Sequence, residues 1–435
     1  MSDAFAHIPQ EIIDDIIDLI SSKTDLSSCT LVSRSWLTRS RRNLFAEVNL
    51  KDKGVQNQFH SFLAFLTAND KDSLLGPPIS GCIQRVCIHN CRPLSKAREK
   101  INTDMLRSLL FLLPNLRDLE LSKATLSGVT PSDPAGWLVS RPIHLDSLSL
   151  LGTTTVSQNP SEIIASLCLF SSIKVLRIEM FVTVEGFERL YSYPQNLTAQ
   201  STHPLLSTED PYFPSRLRVS SIKSPNYSQT PFFLALIAKT ASAETITDVD
   251  VACRTSDQIR ALGSFLSVVG RRIKKITVDV IKLSSESHSN LTPSDILQAS
   301  NLSACTALTH LTLRMTLHPY HREMNIIAFT AVRTFLSVTP TTAQTVILEI
   351  QLTGLNHFYE LWDLYLHRIR STAASEFTDL QSAIKQREEV RKFCIRWGDM
   401  QRDRLEEQVI DGLQLFARAQ LSELDADGIL CFESM

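Results

Sequence analysis

Apolar positions recur along the chain in a short template: an aliphatic residue, two spacers, a second aliphatic residue, one spacer and a third. It occurs as Ile83, Val86 and Ile88; Leu116, Leu119 and Leu121; Leu145, Leu148 and Leu150; and Ile173, Leu176 and Ile178. Later copies are Ile246, Val249 and Val251; Ile273, Ile276 and Val278; and Leu308, Leu311 and Leu313. A degenerate copy lies around Leu348 and Ile350, a poor one near Leu217 and Ile222, and Phe45, Val48 and Leu50 fit a first one. The last two apolar residues of each copy are two apart, the period of a strand with one face in a core. Between copies the spacing turns helical. Met105, Leu106, Leu109, Leu110 and Leu113 mark a helix that Pro114 stops, and Ile163, Ile164, Leu167 and Leu169 mark another. Ile259, Leu262, Phe265, Leu266 and Val269 mark the clearest, with Gly270 placed to end it.

The middle residues of successive copies lie 27 to 37 positions apart, with one gap of 73 that a weak copy near Ser220 divides. Strand, turn and helix repeated at such a period describe units that hide their apolar faces only by stacking on neighbours. The template resembles the leucine-rich repeat, although repeats of that kind run about 20–29 residues and these are longer. The expected fold class is α/β: an irregular leucine-rich-repeat solenoid over residues 47–355, with short parallel strands on the concave side and helices on the convex side. A doubly wound α/β domain also alternates strands and helices, but it carries a glycine-rich turn after its first strand. No such turn occurs, and the chain has only 13 glycines. Residues 191–231, dense in Ser, Thr and Pro, break the rhythm and read as a long loop or insertion. Beyond 356, the groups Phe358–Ile369, Phe377–Ile384 with the charged run to Lys392, and Leu405–Leu421 predict helices. They make residues 356–435 a helical C-terminal cap or tail.

The start of the chain has a different pattern. Ile12, Ile13, Ile16, Ile17, Leu19 and Ile20 cover roughly 160° of a helix turning about 100° per residue, opposite Glu11, Asp14, Asp15 and Asp18. Pro9 suits the first helical position. A second helix is expected from about Leu26 to Val32, capped by Thr24 or Asp25, and a third from about Ser33 to Arg42, with Trp36, Ser40 and Leu44 on one stripe. Three helices this small carry more aliphatic surface than they can hide themselves, which argues for a docking module.

The opening Ile8-Pro9-x-Glu11, the aliphatic helix, Leu31-Val32-Ser33-Arg34-Ser35-Trp36 and the closing Leu44-Phe45 together resemble an F-box. The segment from Arg34 to Phe45 is similar to the F-box-like proteins abundant in mushroom-forming fungi. Ile8 stands where that family more often has Leu, and Ser33 where it more often has Cys; Ser33 also suits a helix cap. The resemblance covers about a tenth of the chain, within residues 5–46. It implies that these helices dock on a Skp-type adaptor held by a cullin scaffold, and that the rest of the chain presents a target protein for ubiquitin transfer. Carried over residue by residue, it assigns Ile8, Pro9, Ile12, Ile16, Leu31, Val32, Trp36 and Phe45 to the adaptor interface or its immediate support. Ile13, Leu26 and Leu44 are candidates for packing the helices together.

Composition narrows the other classes. With 435 residues, 43% of them apolar and 21% charged, the chain has an ordinary globular balance with room for two or three domains. A net charge of −2 gives no footprint for nucleic acid or an anionic membrane. No secretory leader and no apolar run near 18 residues is present, so the nine cysteines are expected as reduced thiols in the cytosol or nucleus. Cys82, Cys87, His89 and Cys91 invite a zinc reading, but there is no CxxC and no second pair nearby, so no metal is assigned. Glu423, Asp425, Asp427 and Gly428 echo a calcium loop whose twelfth position is Ser434 instead of the needed Glu. No phosphate-binding loop, nucleophile elbow or HExxH motif occurs. No catalytic residue and no cofactor is therefore expected.

The target-facing candidates are the spacers of the template, Glu120, Ser149, Arg177, Asp250, Thr277 and Thr312, because alternate strand residues point away from the core. The competing reading is an interaction scaffold that carries the F-box-like module without a ligase role.

Overall fold

The computed structural model of the chain describes residues 8–52, 58–69, 78–90, 100–127, 142–155, 161–179, 213–224, 230–253, 255–280, 293–353, 362–399 and 407–434. It has a mixed α/β architecture with parallel strands, and it divides into two compact units, Met1–Leu217 and Arg218–Met435.

In the first unit, α1 (Gln10–Asp18), α2 (Lys23–Cys29) and α3 (Arg34–Phe45) lead through Ala46 into β1 (Glu47–Asp52). Then come α4 (Gln58–Asn69), α5 (Ile79–Cys82), β2 (Arg85–Asn90), β3 (Lys100–Asn102), α6 (Thr103–Leu112), β4 (Asp118–Ser122) and β5 (Thr125–Ser127). β6 (His144–Leu151), β7 (Thr154–Thr155), α7 (Ser161–Leu167) and β8 (Ser172–Glu179) follow among the described residues. β1, β2, β4, β6 and β8 pair in that order, all parallel, while β3, β5 and β7 make a small second parallel sheet.

The second unit comprises β9 (Arg218–Ser224), α8 (Thr230–Ala238), β10 (Asp248–Ala252), α9 (Ser256–Val269), β11 (Lys275–Asp279), α10 (Pro293–Ala299) and β12 (His310–Leu317). It continues with α11 (Arg322–Val338), β13 (Thr345–Leu352), α12 (Trp362–Lys385), β14 (Lys392–Asp399), α13 (Glu407–Gln420), α14 (Ser422–Ala426) and β15 (Leu430–Ser434). From β9 to β15 each strand pairs parallel with the next in sequence. Parallel neighbours need a crossover, and in this unit the helices supply it.

The repeated template is the register of these sheets. Val48, Val86, Leu119, Leu148 and Leu176 lie side by side across the first unit, as do Leu50, Ile88, Leu121, Leu150 and Ile178. In the second, Ile222, Val249, Ile276, Leu311, Val346, Phe393 and Leu430 form one row. Ser224, Val251, Val278, Leu313, Leu348, Ile395 and Phe432 form the other. Stacking identical positions buries them: Leu119, Leu176, Ile276 and Leu311 are all shielded from solvent. Between the strands, α9 opens with the Thr255–Gln258 capping box, in which each side chain accepts from the other's backbone N–H. Farther on, the guanidinium of Arg387 donates to the carbonyls of Leu336, Thr339 and Pro340, answering the open C-terminal end of α11.

Several sequence expectations need correction. The weak copy near Ser220 is Val219, Ile222 and Ser224 rather than Leu217 and Ile222; Ser224 fills an apolar slot by bonding the hydroxyl of Thr230 at 3.2 Å. So part of the expected 191–231 insertion is a regular strand, β9, and its stretches 191–212 and 225–229 lie outside the described residues. The degenerate copy is in register at Val346 and Leu348, two residues before the expected pair. Residues 356–435 are not purely helical, because β14 and β15 extend the sheet. Val390, Phe393 and Ile395 fit the template once an aromatic residue is allowed in it, and all three are buried.

The thiols are not all reduced either. Cys394 and Cys431, directly opposed on β14 and β15 with Cα atoms 4.6 Å apart, form a disulfide, a separation within the range that a bridge needs. It closes a loop over a sequence separation of 37, for which chain entropy gives about 3–4 kcal/mol. Thermal unfolding followed with and without a thiol reductant should show a lower midpoint in reductant for the wild type. The Cys394→Ser variant should show no such difference.

Candidate functional site

The N-terminal helices form a small core of Ile13, Ile17 and Leu26, against which Ile8, Ile20, Trp36 and Leu44 pack. Pro9 caps α1 from outside instead of occupying its first position, and its carbonyl accepts from the N–H groups of Ile12 and Ile13. α2 begins earlier than expected, at Lys23, because Ser22 supplies the cap through the N–H of Asp25. Ser33 caps α3 by accepting from the N–H of Trp36. Gln10 Nε2 donates to the carbonyl of Ser35 at 3.0 Å, and Arg39 Nε to Asp18 Oδ1 at 2.6 Å, so α1 and α3 run parallel.

That second contact makes the module acid-sensitive. The guanidinium of Arg39 and then the amide of Asn43 hold the carboxyl of Asp18 down to about 2. An ordinary Asp titrates near 3.9. A carboxyl whose folded value is depressed contributes stability that is fully present above the unfolded value and is lost as pH falls through the folded one. The protection of amides in 10–45, with exchange taken relative to the intrinsic rate at each pH, should therefore fall between about pH 4 and pH 2 in the wild type. Asp18→Asn, which lacks the titrating group, should lack that step.

The eight residues assigned to docking fall into two groups. Ile12, Ile16, Leu31 and Val32 are exposed, at 50%, 44%, 86% and 62%, and Pro9 is exposed as well. Ile8 and Trp36 instead pack onto the internal cluster, and Phe45 is half-buried where α3 passes into β1. Leu19, outside the assigned set, is exposed at 84%; with Ile12 and Ile16 it follows the i, i+4, i+7 spacing of one helix face. Leu31 and Val32 form the tight turn between α2 and α3, their N–H groups donating to the carbonyls of Ser28 and Cys29. The Gln10–Ser35 bond brings that turn to the end of the module where α1 begins. A face of this kind can do one thing chemically: bury itself against another apolar surface.

The outward positions of the strands form further candidate surfaces, one in each unit. Cys87, Glu120, Ser149 and Arg177 share one row in the first unit; Asp250, Thr277 and Thr312 share one in the second. Glu120, Ser149, Asp250 and Thr277 are half-buried and Arg177 is exposed. Thr312 needs correction: hemmed between Thr277 and Ile347 on the adjacent strands, it is only 8% exposed. The spacer pattern also missed the residues two places on. Arg314 reaches Asp250 at 3.6 Å and Glu349 at 2.8 Å, and Arg396 reaches Glu349 at 3.0 Å and Glu433 at 2.6 Å. Lys392 adds a contact to Glu433 at 2.7 Å and, ahead of Arg396, holds that carboxyl below its ordinary value. Alternating signs at identical register positions 314, 349, 396 and 433 were the signal in the sequence. Because each charge is answered by a neighbour, this ladder presents no field for a polyanion.

The echo of a calcium loop is absorbed by structure: Glu423 and Asp425 lie in α14, paired with Lys385 and Arg418. Among the described residues no helix is long and apolar enough to cross a membrane. Two clusters among the described residues have metal-compatible donors, Cys87 with His89 and Glu120, and Cys394 with Cys431 and Glu433; in the second the thiols are spent on the disulfide. No protein-family model matches the chain, and no curated protein matches its sequence.

Proposed function

We propose that this chain is the recognition subunit of a Skp–cullin–F-box type ubiquitin ligase, with α1–α3 as the F-box and the strand–helix units as a leucine-rich-repeat solenoid. The observation that carries the reading is the division of the helices' aliphatic residues. Ile13, Ile17 and Leu26 are consumed by internal packing, whereas Ile12, Ile16, Leu19, Leu31 and Val32 remain in water. Fully burying one such side chain contributes roughly 1.5–3 kcal/mol, and a few at the centre of an interface can dominate its affinity. The partner read from the F-box resemblance is the Skp-type adaptor, and through it a cullin scaffold.

The chain itself would carry out no bond chemistry. Holding a target protein beside a charged ubiquitin-conjugating enzyme raises the effective concentration of target lysines. The outward strand residues, from Glu120, Ser149 and Arg177 to the ion ladder around Arg314 and Arg396, are the candidates for holding that target. Tagged full-length chain recovered from cells should bring down both adaptor and cullin. Recovery of neither overturns the ligase reading. Adaptor without cullin supports the alternative of an interaction scaffold with an F-box-like module but no ligase role.

A further inference from the structure

Outside the docking helices, the first unit gathers a thiol, an imidazole and a carboxylate on the outward face of its sheet. Cys87 and His89 are two apart on β2, hence on one face, and Glu120 lies directly beside Cys87 on β4. Their donor atoms all lie within 4.8 Å of one another, with His89 Nε2 3.8 Å from Glu120 Oε1. Spacing along the chain hid this group, because the third donor stands 31 residues after His89.

We propose that Cys87, His89 and Glu120 form a binding site for a zinc-class divalent cation, with three protein ligands and one open position. The donor set selects the ion. Thiolate with imidazole suits borderline and soft divalent metals, while calcium and magnesium take oxygen. Bond lengths of about 2.0–2.3 Å place tetrahedral ligands roughly 3.3–3.8 Å apart. The three donors therefore need side-chain adjustments of only about 1 Å, and the strands need not move.

The surroundings fit as well. Arg85 Nη2 lies 3.4 Å from Glu120 Oε2, leaving Oε1, the oxygen nearer His89, for the ion. A ligating carboxylate anchored through its other oxygen is the usual support of such sites. Arg85 also bonds the Cys87 thiol, which favours its thiolate form, and reaches Glu47 at 4.0 Å. Lys51 and Asp118 lie next to His89 and Arg85 in register. Cys87 is buried, and burial holds its thiol above the ordinary value. Binding then forms the metal–sulfur bond as the thiol proton leaves to solvent, and the thiolate and carboxylate balance the charge of the ion. With His89 and Glu120 half-buried, the fourth position opens on the outward face of the strands.

The test uses full-length chain freed of metal by a chelator and titrated with Co²⁺ as the probe. One equivalent should bind with a thiolate-to-cobalt charge-transfer band, which Zn²⁺ then abolishes. Cys87→Ser should remove the band. Because Cys87 is buried, the half-exposed His89→Ala and Glu120→Gln serve as the second arm. Each should weaken Co²⁺ binding roughly tenfold or more with unchanged circular dichroism. Failure to bind Co²⁺, binding without the sulfur band, or a band that survives in Cys87→Ser overturns the proposal. None of these outcomes depends on adaptor binding.

Discussion

Gly263→Ala is expected to destabilise the second unit by about 3 kcal/mol or more, one of the largest effects of any single substitution in the chain. Gly263 lies inside α9, where glycine is otherwise unfavourable in a helix. A β-carbon at this position would stand 1.7 Å from the carbonyl oxygen of Ala299 and 2.8 Å from its carbonyl carbon. The obstacle is backbone at the end of α10, so no rotamer change relieves it. Either α9 lifts away from α10 and exposes the buried Ile259, Leu262 and Leu266, or the 299–304 turn shifts. That turn is already committed, with Asn301 in the left-handed region at φ 47°. Gly270, whose added β-carbon would meet the Ala304 carbonyl oxygen at 2.9 Å, should tolerate alanine better. Denaturant unfolding of the two variants checks the order; equal, small losses would show that the helices are not packed as described.

Within the docking module, stability and binding should separate by residue. Ile17→Ala removes a side chain with no solvent exposure, and truncations of this kind cost about 2–5 kcal/mol. Ile17 stands in the buried cluster of Ile13, Ile17 and Leu26 on which Ile8, Ile20, Trp36 and Leu44 pack, so α1 should lose its hydrogen-exchange protection. Leu31→Ala and Ile12→Ala, at 86% and 50% exposure, should change stability by no more than about 0.5 kcal/mol, as surface substitutions do. If those exposed residues are an interface, their cost appears only on binding, at about 1–3 kcal/mol each for centrally placed ones. Trp36→Ala mixes the two effects, because Trp36 packs on the internal cluster; lost binding in that variant does not by itself identify an interface.

Legibility in the sequence followed physical regularity. The strands β2, β4, β6, β8, β10, β11 and β12 were readable because each template places two aliphatic residues on the strand, stacked on matching neighbours, with a third within the strand or just before it. Stacking tolerates little variation. β9 was obscured by Ser224, which answers its buried position with a hydrogen bond instead of an aliphatic side chain. β14 was hidden by Phe393 in an aliphatic slot and by the charges from Lys385 to Lys392, which read as a helical face. In the N-terminal module, helical periodicity marks an apolar stripe of roughly 160°. It cannot say which edge meets the other helices and which meets water; that follows from the angle at which α1 lies on α3, set by Gln10–Ser35 and Asp18–Arg39. The ion ladder and the Cys87–His89–Glu120 cluster are cross-strand arrangements, invisible until the register is known.

The central claim is that the exposed aliphatic face of the N-terminal helices binds a Skp-type adaptor. Calorimetric titration of the purified full-length chain with a purified Skp-type adaptor tests it directly, using wild type and the Ile12→Asp/Leu31→Asp double variant. The account predicts saturable one-to-one binding by the wild type. It predicts at least a hundredfold weakening in the variant, about 2.7 kcal/mol, while circular dichroism and thermal midpoint stay unchanged. Absence of binding by the wild type, or equal affinity in the two proteins, would contradict it.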